Sequence, residues 1–378
     1  MNIAVVVIGY DRPLSISRCL CRLSAAEYRR VHVDLIVSLD WSEKQSEILA
    51  MLRDYKWAHG DMIIRAFTNR QGLREHVLSC GDYTEKYDAV VVLEDDIVVS
   101  GSFFDYVLSA LDFVGNDSRV AGVSLYSPSI NEMAMLPFVP KRTGYDNFYL
   151  QSAQSWGQCW TRSMWRDFRE WYDANCSKLS KASDMPSRIY SWPESSWKKY
   201  YMKYLVETGK TFLYPYDSFS SNYSDVGQHN KTVTPHFQVP MISGKSDFIF
   251  GGLNDVPCYD IFFERTELKY CGHDVCVDLY GTRSVSECRY FLSTQDLDFP
   301  VAASYGLTYR PHEDNFIKSS AGNDVFLYDL GDKKELGSKK KVSAYKLAKY
   351  HTNLSWRHSL IYGAVTLRNR VFKKLMRQ

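Results

Sequence analysis

Four short apolar segments rich in β-branched residues constrain the fold of this chain more than any other feature. They cover residues 3–8, 31–39, 62–67 and 89–93, and segments with apolar residues at helical spacing separate them at residues 14–23, 43–55 and 72–86. Apolar segments of this length are typical of strands buried in a parallel sheet. The alternation predicts βαβ units with right-handed crossovers, and hence an α/β fold built on a mostly parallel, Rossmann-like sheet.

Acidic residues follow three of the four predicted strands. Asp11 comes after the first strand, Asp40 directly after the second, and Glu94, Asp95 and Asp96 directly after the fourth. In open parallel sheets, ligands bind beyond the carboxyl ends of the strands. The sequence therefore predicts a ligand site at this edge of the sheet.

The acidic triplet of Glu94, Asp95 and Asp96 stands between the apolar segments VVVL and IVV. Mn²⁺ and Mg²⁺ prefer oxygen ligands, and proteins often hold them with one or two carboxylates together with substrate phosphates. When a sugar leaves a nucleoside diphosphate, negative charge develops on the diphosphate, and a divalent cation stabilises that charge. The triplet therefore predicts a site for Mn²⁺ or Mg²⁺ and a nucleotide sugar.

Three segments resemble a known family of enzymes. AVVVIGYDRPLSISRCLCRL, VDLIVSLDWSEK and VVVLEDDIVVSGSFFDY are similar, in order and spacing, to segments of the N-acetylglucosaminyltransferase that initiates complex N-glycans and of its bacterial surface-polysaccharide relatives. SWGQCWTRSMW and SFSSNYSDVGQHN extend the resemblance to about residue 230. The resemblance implies a GT-A fold, which is an α/β nucleotide-sugar domain, and a UDP-sugar as the donor.

The resemblance also implies roles for individual residues at the predicted sheet edge. Asp96 would bind the metal directly, and Asp95 would lie against the ribose and the metal-bound phosphate. Glu94 would face a hydroxyl group of the donor sugar, and Asp40 would accept a hydrogen bond from the uracil N–H. Arg12 would reach the diphosphate, because a guanidinium suits phosphate oxygens. Alternatively, Arg12 would form an ion pair with Asp11.

Two histidines and two tryptophans have both a functional and a structural interpretation. His76 would lie near the nucleoside, or else on the surface of a helix. His229 would meet the diphosphate or the metal, or else have a structural role. Trp156 and Trp160 would line the donor or acceptor sugar, or else pack in the core beneath it.

The general base is the least determined part of the predicted site. The animal family inverts the anomeric configuration and uses a carboxylate as base, in a segment with two aspartates between tryptophans. Here the similar segment reads SWPESSW, with neither aspartate. Glu194 is the nearest acid and Asp184 the second choice, and both could instead belong to a solvated loop.

The predicted function is a metal-dependent, inverting glycosyltransferase that moves a hexosyl or N-acetylhexosaminyl group from a UDP-sugar to a glycan or lipid-linked oligosaccharide. The bacterial resemblance favours O-antigen or capsule synthesis. One alternative is a catalytically impaired carbohydrate-binding protein of the same fold. A sugar nucleotidyltransferase is a weaker alternative, because GYDRPLS lacks the glycine-rich basic loop that a nucleoside triphosphate requires.

The charge distribution and the segment boundaries predict three parts. Residues 1–243 would form the nucleotide-sugar and catalytic domain, residues 244–332 a small strand-rich domain, and residues 333–378 a tail. The tail contains 13 Lys or Arg and one acid, so it carries +12 and the remainder carries −10. The acidic body makes nucleic acid an unexpected partner.

The end of the tail, at residues 360–376, has apolar residues on one half of a helix and basic residues on the other. This pattern is typical of helices that bind an anionic membrane surface, although the apolar half could instead pack on the protein. The sequence shows no leader and no apolar segment of transmembrane length. We therefore expect a cytoplasmic protein that is peripheral on the inner face of the cell membrane. The nine cysteines contain no paired CxxC motif, so no disulfide framework is predicted.

Overall fold

The computed structural model of this protein describes residues 1–331 except 178, 180, 183, 226–234 and 286–287, and beyond them residues 350–351, 357, 360–361, 363–365 and 367–368. The strands are β1 Ile3–Gly9, β2 Val33–Leu39, β3 Met62–Ala66, β4 Ala89–Glu94, β5 Ile97–Val99, β6 Val120–Ser124, β7 Ile130–Asn131, β8 Leu136–Pro137, β9 Asn147–Leu150, β10 Gln158–Thr161, β11 Thr211–Pro215, β12 Ser220–Asn222, β13 Cys258–Tyr259, β14 Lys269–Tyr270, β15 His273–Asp278, β16 Tyr290–Ser293, β17 Val301–Tyr305 and β18 Val325–Asp329. The helices are α1 Pro13–Ser24, α2 Gln45–Asp54, α3 Leu73–Gly81, α4 Phe103–Val114, α5 Arg162–Asn175, α6 Ser187–Tyr190, α7 Trp197–Thr208 and α8 Asp314–Ile317, with a 3₁₀ turn at Asp82–Glu85.

Within the described residues, nine strands form the main sheet in the order β13-β9-β11-β6-β10-β4-β1-β2-β3. Strand β1 pairs in parallel with β2 and with β4, and β2 pairs in parallel with β3. Every residue of β1 is buried, as the apolar composition of the segment requires for a central strand. The predicted α/β fold and its parallel βαβ units are therefore confirmed.

Strand β10 extends the sheet beyond the parallel strands and carries part of the core. It pairs antiparallel with both β4 and β6. Trp160, on β10, has no exposed surface, and its ring lies 4.5 Å from that of Trp165 and 5.9 Å from that of Trp197. Of the two interpretations of Trp160, the structure supports core packing.

Helix α7 packs against α5 and α3 and carries two buried lysines. Ser196 caps its first turn by accepting a hydrogen bond from the Lys199 amide at 3.4 Å. Gly209 ends the helix with a φ of 67°, a left-handed conformation that glycine adopts without steric cost. The cap at Ser196 places Lys198 and Lys199 in the first turn, where both side chains are buried.

A second sheet has the order β14-β15-β16-β18-β17 and its own apolar clusters. Strand β13, by contrast, pairs in parallel with β9 of the main sheet, and residues 261–263 are buried in the main core. The predicted boundary between residues 243 and 244 therefore falls before the last strand of the main sheet. The separate sheet begins at Lys269.

The predicted amphipathic helix of the tail falls largely outside the described residues. The residues that are described between 360 and 368 are helical. Four of their apolar side chains are exposed by 43 to 65%, namely Leu360, Ile361, Val365 and Leu367. In the described part of the chain, no helix has the length and apolar character needed to cross a membrane.

Candidate functional site

A cleft of about 380 Å³ opens at the carboxyl ends of β1, β2 and β4. One wall comes from these strand ends and includes the predicted site residues Arg12, Asp40, His76, Glu94, Asp95 and Asp96. Later parts of the chain complete the lining with Glu132, Trp156, Trp192, Lys198 and Asp225. The structure thus brings six of the nine predicted site residues into one cleft.

The acidic triplet is positioned by the buried strands on either side of it. Strand β4 ends at Glu94, and the buried strand β5 begins directly after Asp96. The backbone oxygen of Asp96 accepts a hydrogen bond from the Tyr223 amide at 2.9 Å. Arg12 donates to Asp95 and, at 3.0 Å, to Asp96. Its guanidinium therefore pairs with two acids of the triplet.

Burial and mutual repulsion disfavour the ionised forms of the carboxyl groups in the triplet. Burial, together with the charges of Asp96 and Asp95, raises the pKa of Glu94 to about 8. Burial outweighs the attraction of Arg12 and, with the charge of Asp96, raises the pKa of Asp95 to about 7. The Asp96 Oδ1 atom is buried and has no hydrogen-bond partner. A positive charge at this position would stabilise the ionised carboxylates and give the Asp96 Oδ1 atom a partner.

The cleft as a whole carries an excess of acidic groups. Among the described residues that line it, the acids are Asp11, Asp40, Glu94, Asp95, Asp96, Glu132 and Asp225, and the basic residues are Arg12, Arg70 and Lys198. Seven carboxylates face three cationic side chains, so the cleft is suited to bind a cation. The carboxylates of Asp95 and Asp96 fit Mn²⁺ or Mg²⁺, which are often held by one or two carboxylates together with phosphate oxygens.

A separate group, His32, Asp34 and Asp61, has ligand atoms within 4.8 Å of one another. It is the one such group of three among the described residues. Asp34 Oδ1 accepts hydrogen bonds from the His32 ring and the Asp61 amide, each at 2.9 Å, and Oδ2 accepts one from the Tyr87 hydroxyl at 2.7 Å. Both oxygens of Asp34 thus have partners within the protein, and the group lies at the opposite end of β2 from the cleft.

Asp40 fixes the loop before α3 to the end of β2. Its Oδ1 accepts hydrogen bonds from the amides of Trp41 at 2.8 Å and Gln71 at 2.7 Å, and its Oδ2 accepts one from the Gly72 amide at 3.0 Å. Gly72 has a φ of 79°, which a residue with a side chain rarely adopts. A carboxylate has about four acceptor positions, so one remains for a ligand.

His76 is buried and lines the cleft, so it is not a surface residue of α3. Its Nε2 lies 2.7 Å from the Ser38 hydroxyl, and Arg65 donates to the same hydroxyl at 2.8 Å. Burial, reinforced by the charge of Arg65, lowers the pKa of His76 to about 4. His76 is therefore neutral near pH 7, and its ring is held by this hydrogen bond.

The structure does not bring Glu194 and Asp184 into the cleft, since neither is among the described residues that line it. Glu194 accepts hydrogen bonds from Lys199 and from the Tyr200 hydroxyl, each at 2.6 Å. Asp184 pairs with Lys203 and accepts a hydrogen bond from the Tyr190 hydroxyl at 2.9 Å. Both carboxylates fasten the loop before α7 to that helix.

His229 lies outside the described residues. Further residues that line the cleft and are not among the predicted site residues include Glu132, Trp192, Lys198 and Asp225. Glu132 lies in the turn between the two-residue strands β7 and β8, which are too short for a periodic pattern to identify a functional residue. Trp192 belongs to the SWPESSW segment. That segment therefore contributes to the cleft as predicted, but through Trp192 and not through Glu194.

No protein-family model matches the sequence, and no curated protein matches it. Among solved structures, TarS of S. aureus in complex with UDP-GlcNAc is 10% identical, with a TM-score of 0.39 over 62% of this chain and 62% of that chain. The mannosyltransferase PcManGT from Pyrobaculum calidifontis in complex with GDP-Man and Mn²⁺ is 10% identical, with a TM-score of 0.36 over 57% and 54%. GalNAc-T7 with UDP, GalNAc and Mn²⁺ is 11% identical, with a TM-score of 0.37 over 58% and 43%.

The match therefore spans less than two thirds of each of these solved chains. Similarity at this level carries no inference about the activity or the substrate of this chain. The residues of the cleft and the contacts between them are the basis for the function proposed below.

Proposed function

We propose that this protein is a metal-dependent GT-A glycosyltransferase that uses a UDP-sugar. The observation that carries the proposal is the acidic triplet at the end of β4, placed in a cleft where carboxylates outnumber cations. Asp96 has a buried oxygen without a hydrogen-bond partner, and burial raises the pKa of Asp95. Such a site favours a divalent cation together with a diphosphate.

In this proposal, Asp96 and Asp95 hold Mn²⁺ or Mg²⁺. The ion supplies charge stabilisation for the diphosphate as it leaves. Arg12, at the start of α1, binds the diphosphate, and Glu94 contacts a hydroxyl group of the donor sugar. Asp40 and neutral His76 hold the nucleoside at the end of β2, and His229 is a further candidate for the diphosphate.

The acceptor and the biological role extend the proposal further. We take the acceptor to be a glycan or lipid-linked oligosaccharide in bacterial surface-polysaccharide synthesis, and we take transfer to proceed with inversion. These assignments follow the sequence resemblance. A catalytically impaired carbohydrate-binding protein is the main alternative, and it differs in that it would bind a sugar without releasing UDP.

The direct test is to titrate UDP into the protein by calorimetry with Mn²⁺, with Mg²⁺ and with EDTA, and then to measure UDP release from a panel of UDP-sugars. We expect UDP binding that requires the metal, and UDP release from one member of the panel. Metal-dependent binding without release from any UDP-sugar would favour the impaired alternative. The proposal is wrong if UDP does not bind with either metal.

For the tail, we propose attachment to the inner face of the cell membrane. The exposed apolar side chains between residues 360 and 367 and the excess of Lys and Arg from residue 333 onwards support it. A basic residue close to an anionic surface contributes about 1 kcal/mol, which adds to the burial of the apolar side chains.

Deletion of residues 359–378 is therefore expected to abolish sedimentation with vesicles that contain phosphatidylglycerol, and to leave UDP release unchanged. Leu360→Gln with Leu367→Gln keeps the charge and removes apolar contact, so it should weaken sedimentation to an intermediate level. Vesicles of phosphatidylcholine alone serve as the uncharged control. Sedimentation of the deletion variant at the level of the full chain would show that the tail is not the attachment site.

A further inference from the structure

We propose that Glu132 is the general base that takes the proton from the acceptor hydroxyl. This inference rests on the proposed function. Glu132 lines the same cleft as the acidic triplet, its side chain is 14% exposed, and the charge of its partner Lys198 acts on Glu94. A base for sugar transfer has to be within hydrogen-bond reach of the incoming hydroxyl, on the side away from the leaving diphosphate.

The backbone around Glu132 is fixed by its buried neighbour Asn131. The Asn131 side-chain amide donates to the Phe262 carbonyl at 3.0 Å. Its Oδ1 accepts hydrogen bonds from the amides of Met133 at 2.9 Å and Ala134 at 3.2 Å. These bonds hold the segment on both sides of Glu132, so the position of its carboxylate in the cleft is set before any ligand binds.

Lys198 holds the Glu132 carboxylate in a defined orientation. Its Nζ lies 2.6 Å from Glu132 Oε1, and its side chain is only 9% exposed. The ion pair compensates the charge of Glu132 in a cleft that is already rich in carboxylates. We assign the proton taken from the acceptor hydroxyl to the Oε2 atom of Glu132, because Lys198 already pairs with Oε1.

Two indole rings next to this ion pair provide a surface for a sugar. The Lys198 Nζ lies 5.9 Å from the centre of the Trp156 ring and 5.6 Å from that of Trp192. Trp156 is itself held in place by Tyr126, at 4.8 Å between ring centres. The apolar face of a sugar ring packs well on an indole, so a hydroxyl of a saccharide bound here would lie near Glu132.

The loop that carries Trp192 is fastened by Glu194 and Lys199. The Lys199 Nζ donates to the Trp192 carbonyl at 3.1 Å and to Glu194 at 2.6 Å. Arg74 also donates to the Glu194 carbonyl at 2.9 Å. Glu194 thus acts as a positioning residue for the wall on which Trp192 lies, and Glu132 takes the catalytic role that the sequence had suggested for Glu194.

The acceptor oxygen forms a bond with the anomeric carbon of the donor sugar, and its proton moves to the Glu132 carboxylate. The bond between the anomeric carbon and the diphosphate oxygen breaks, and its electron pair leaves with the nucleoside diphosphate. The products are the glycosylated acceptor, the nucleoside diphosphate and a protonated Glu132, which then loses its proton to water.

Asp225 is the other carboxylate that the later part of the chain brings to the cleft, and it is engaged differently. Its Oδ2 accepts hydrogen bonds from Arg18 and, at 2.7 Å, from the Ser15 hydroxyl, both on α1. Two donors on one oxygen make Asp225 a contact between its segment and α1. Because it also lines the cleft, Asp225 is the alternative candidate for the general base, and the test below compares it with Glu132.

The test uses Glu132→Gln, with UDP release measured in the presence of Mn²⁺ and the UDP-sugar on which the wild type is most active. Water serves as the acceptor in one assay and sodium azide in the other. Because azide is already an anion, it needs no base. We expect release to water to fall by about 100-fold or more, with the donor KM unchanged, and azide to restore release with formation of a glycosyl azide.

Controls separate the possible outcomes of this test. Glu170→Gln, an exposed residue of α5, is the matched control and should leave release unchanged, whereas Glu132→Asp should retain part of the activity. The inference is overturned if Glu132→Gln releases UDP to water at the wild-type rate, if Asp225→Asn alone shows the loss and the azide rescue, or if Glu132→Gln no longer binds UDP with Mn²⁺. A wild type that neither binds nor releases UDP would overturn the proposed function itself, and the inference with it.

Discussion

Replacement of both Asp95 and Asp96 by alanine is expected to abolish Mn²⁺-dependent UDP binding and to reduce UDP release by about 1,000-fold or more. These are the two carboxylates that we assign to the metal, and Arg12 alone would remain to bind the diphosphate. Calorimetry with UDP and Mn²⁺ measures the binding, and UDP release from the preferred UDP-sugar measures the turnover.

The matched control for this variant is the replacement of two exposed acids of α5, Glu170 and Asp173, by alanine. The control changes the net charge by the same amount outside the cleft, so binding and turnover should match the wild type. Circular dichroism would establish that both variants are folded. If the Asp95 and Asp96 variant kept both nucleotide affinity and turnover, the acidic triplet would not be the metal site.

The affinity for Mn²⁺ is expected to rise with pH between about 6 and 8. A carboxylate must lose its proton before it binds a metal. Because burial raises the pKa of Asp95 to about 7 and that of Glu94 to about 8, both carboxyl groups are largely protonated at pH 6, whereas at pH 8 Asp95 is largely ionised and Glu94 about half ionised. Below pH 7 the affinity should change by up to about tenfold per pH unit, and calorimetry in two buffers should detect proton release. An affinity that is independent of pH over this range would contradict the electrostatics described here.

Trp160→Ala is expected to lower the free energy of unfolding by about 3–5 kcal/mol. Trp160 has no exposed surface and contacts the rings of Trp165, Trp197 and Tyr201. Its removal would leave a cavity between β10 and α7 that the surrounding aromatic rings cannot fill without leaving their own contacts. Urea unfolding followed by circular dichroism measures the loss.

Trp156→Ala is the matched comparison, four residues away. Trp156 lines the cleft and contacts Tyr126 and Phe237, so its removal should cost about 1 kcal/mol. Equal losses for the two variants would contradict the assignment of Trp160 to the core and Trp156 to the cleft.

Much of the fold and half of the cleft could be predicted from local patterns. The apolar segments predict β1 to β4, and the predicted helix at residues 72–86 corresponds to α3 and the 3₁₀ turn that follows it. Parallel strands end at a common edge, so acids after β2 and β4 necessarily meet there. This is why Asp40 and the acidic triplet could be placed in one cleft without tertiary information.

The part of the cleft that comes from residues 132–225 could not be predicted, because its contacts join residues that are distant in the sequence. Glu132 and Lys198 are 66 positions apart, and nothing in either segment identifies the other. Glu194 stands in the segment that suggests a base, yet Lys199 and Tyr200 hold its carboxylate. The chemical role of a carboxylate depends on its burial and on its partners, and both are set by the packing of α7.

The sequence by itself determined the α/β architecture and the edge of the sheet at which acidic residues collect, because strand and helix periodicity are local properties of the chain. Only the tertiary structure decided which of two nearby tryptophans, Trp156 or Trp160, reaches the cleft, and which acids of the later segments line it. Those outcomes depend on how β10 pairs with β4 and how α7 packs beside it, and such long-range contacts leave no periodic signal in the sequence.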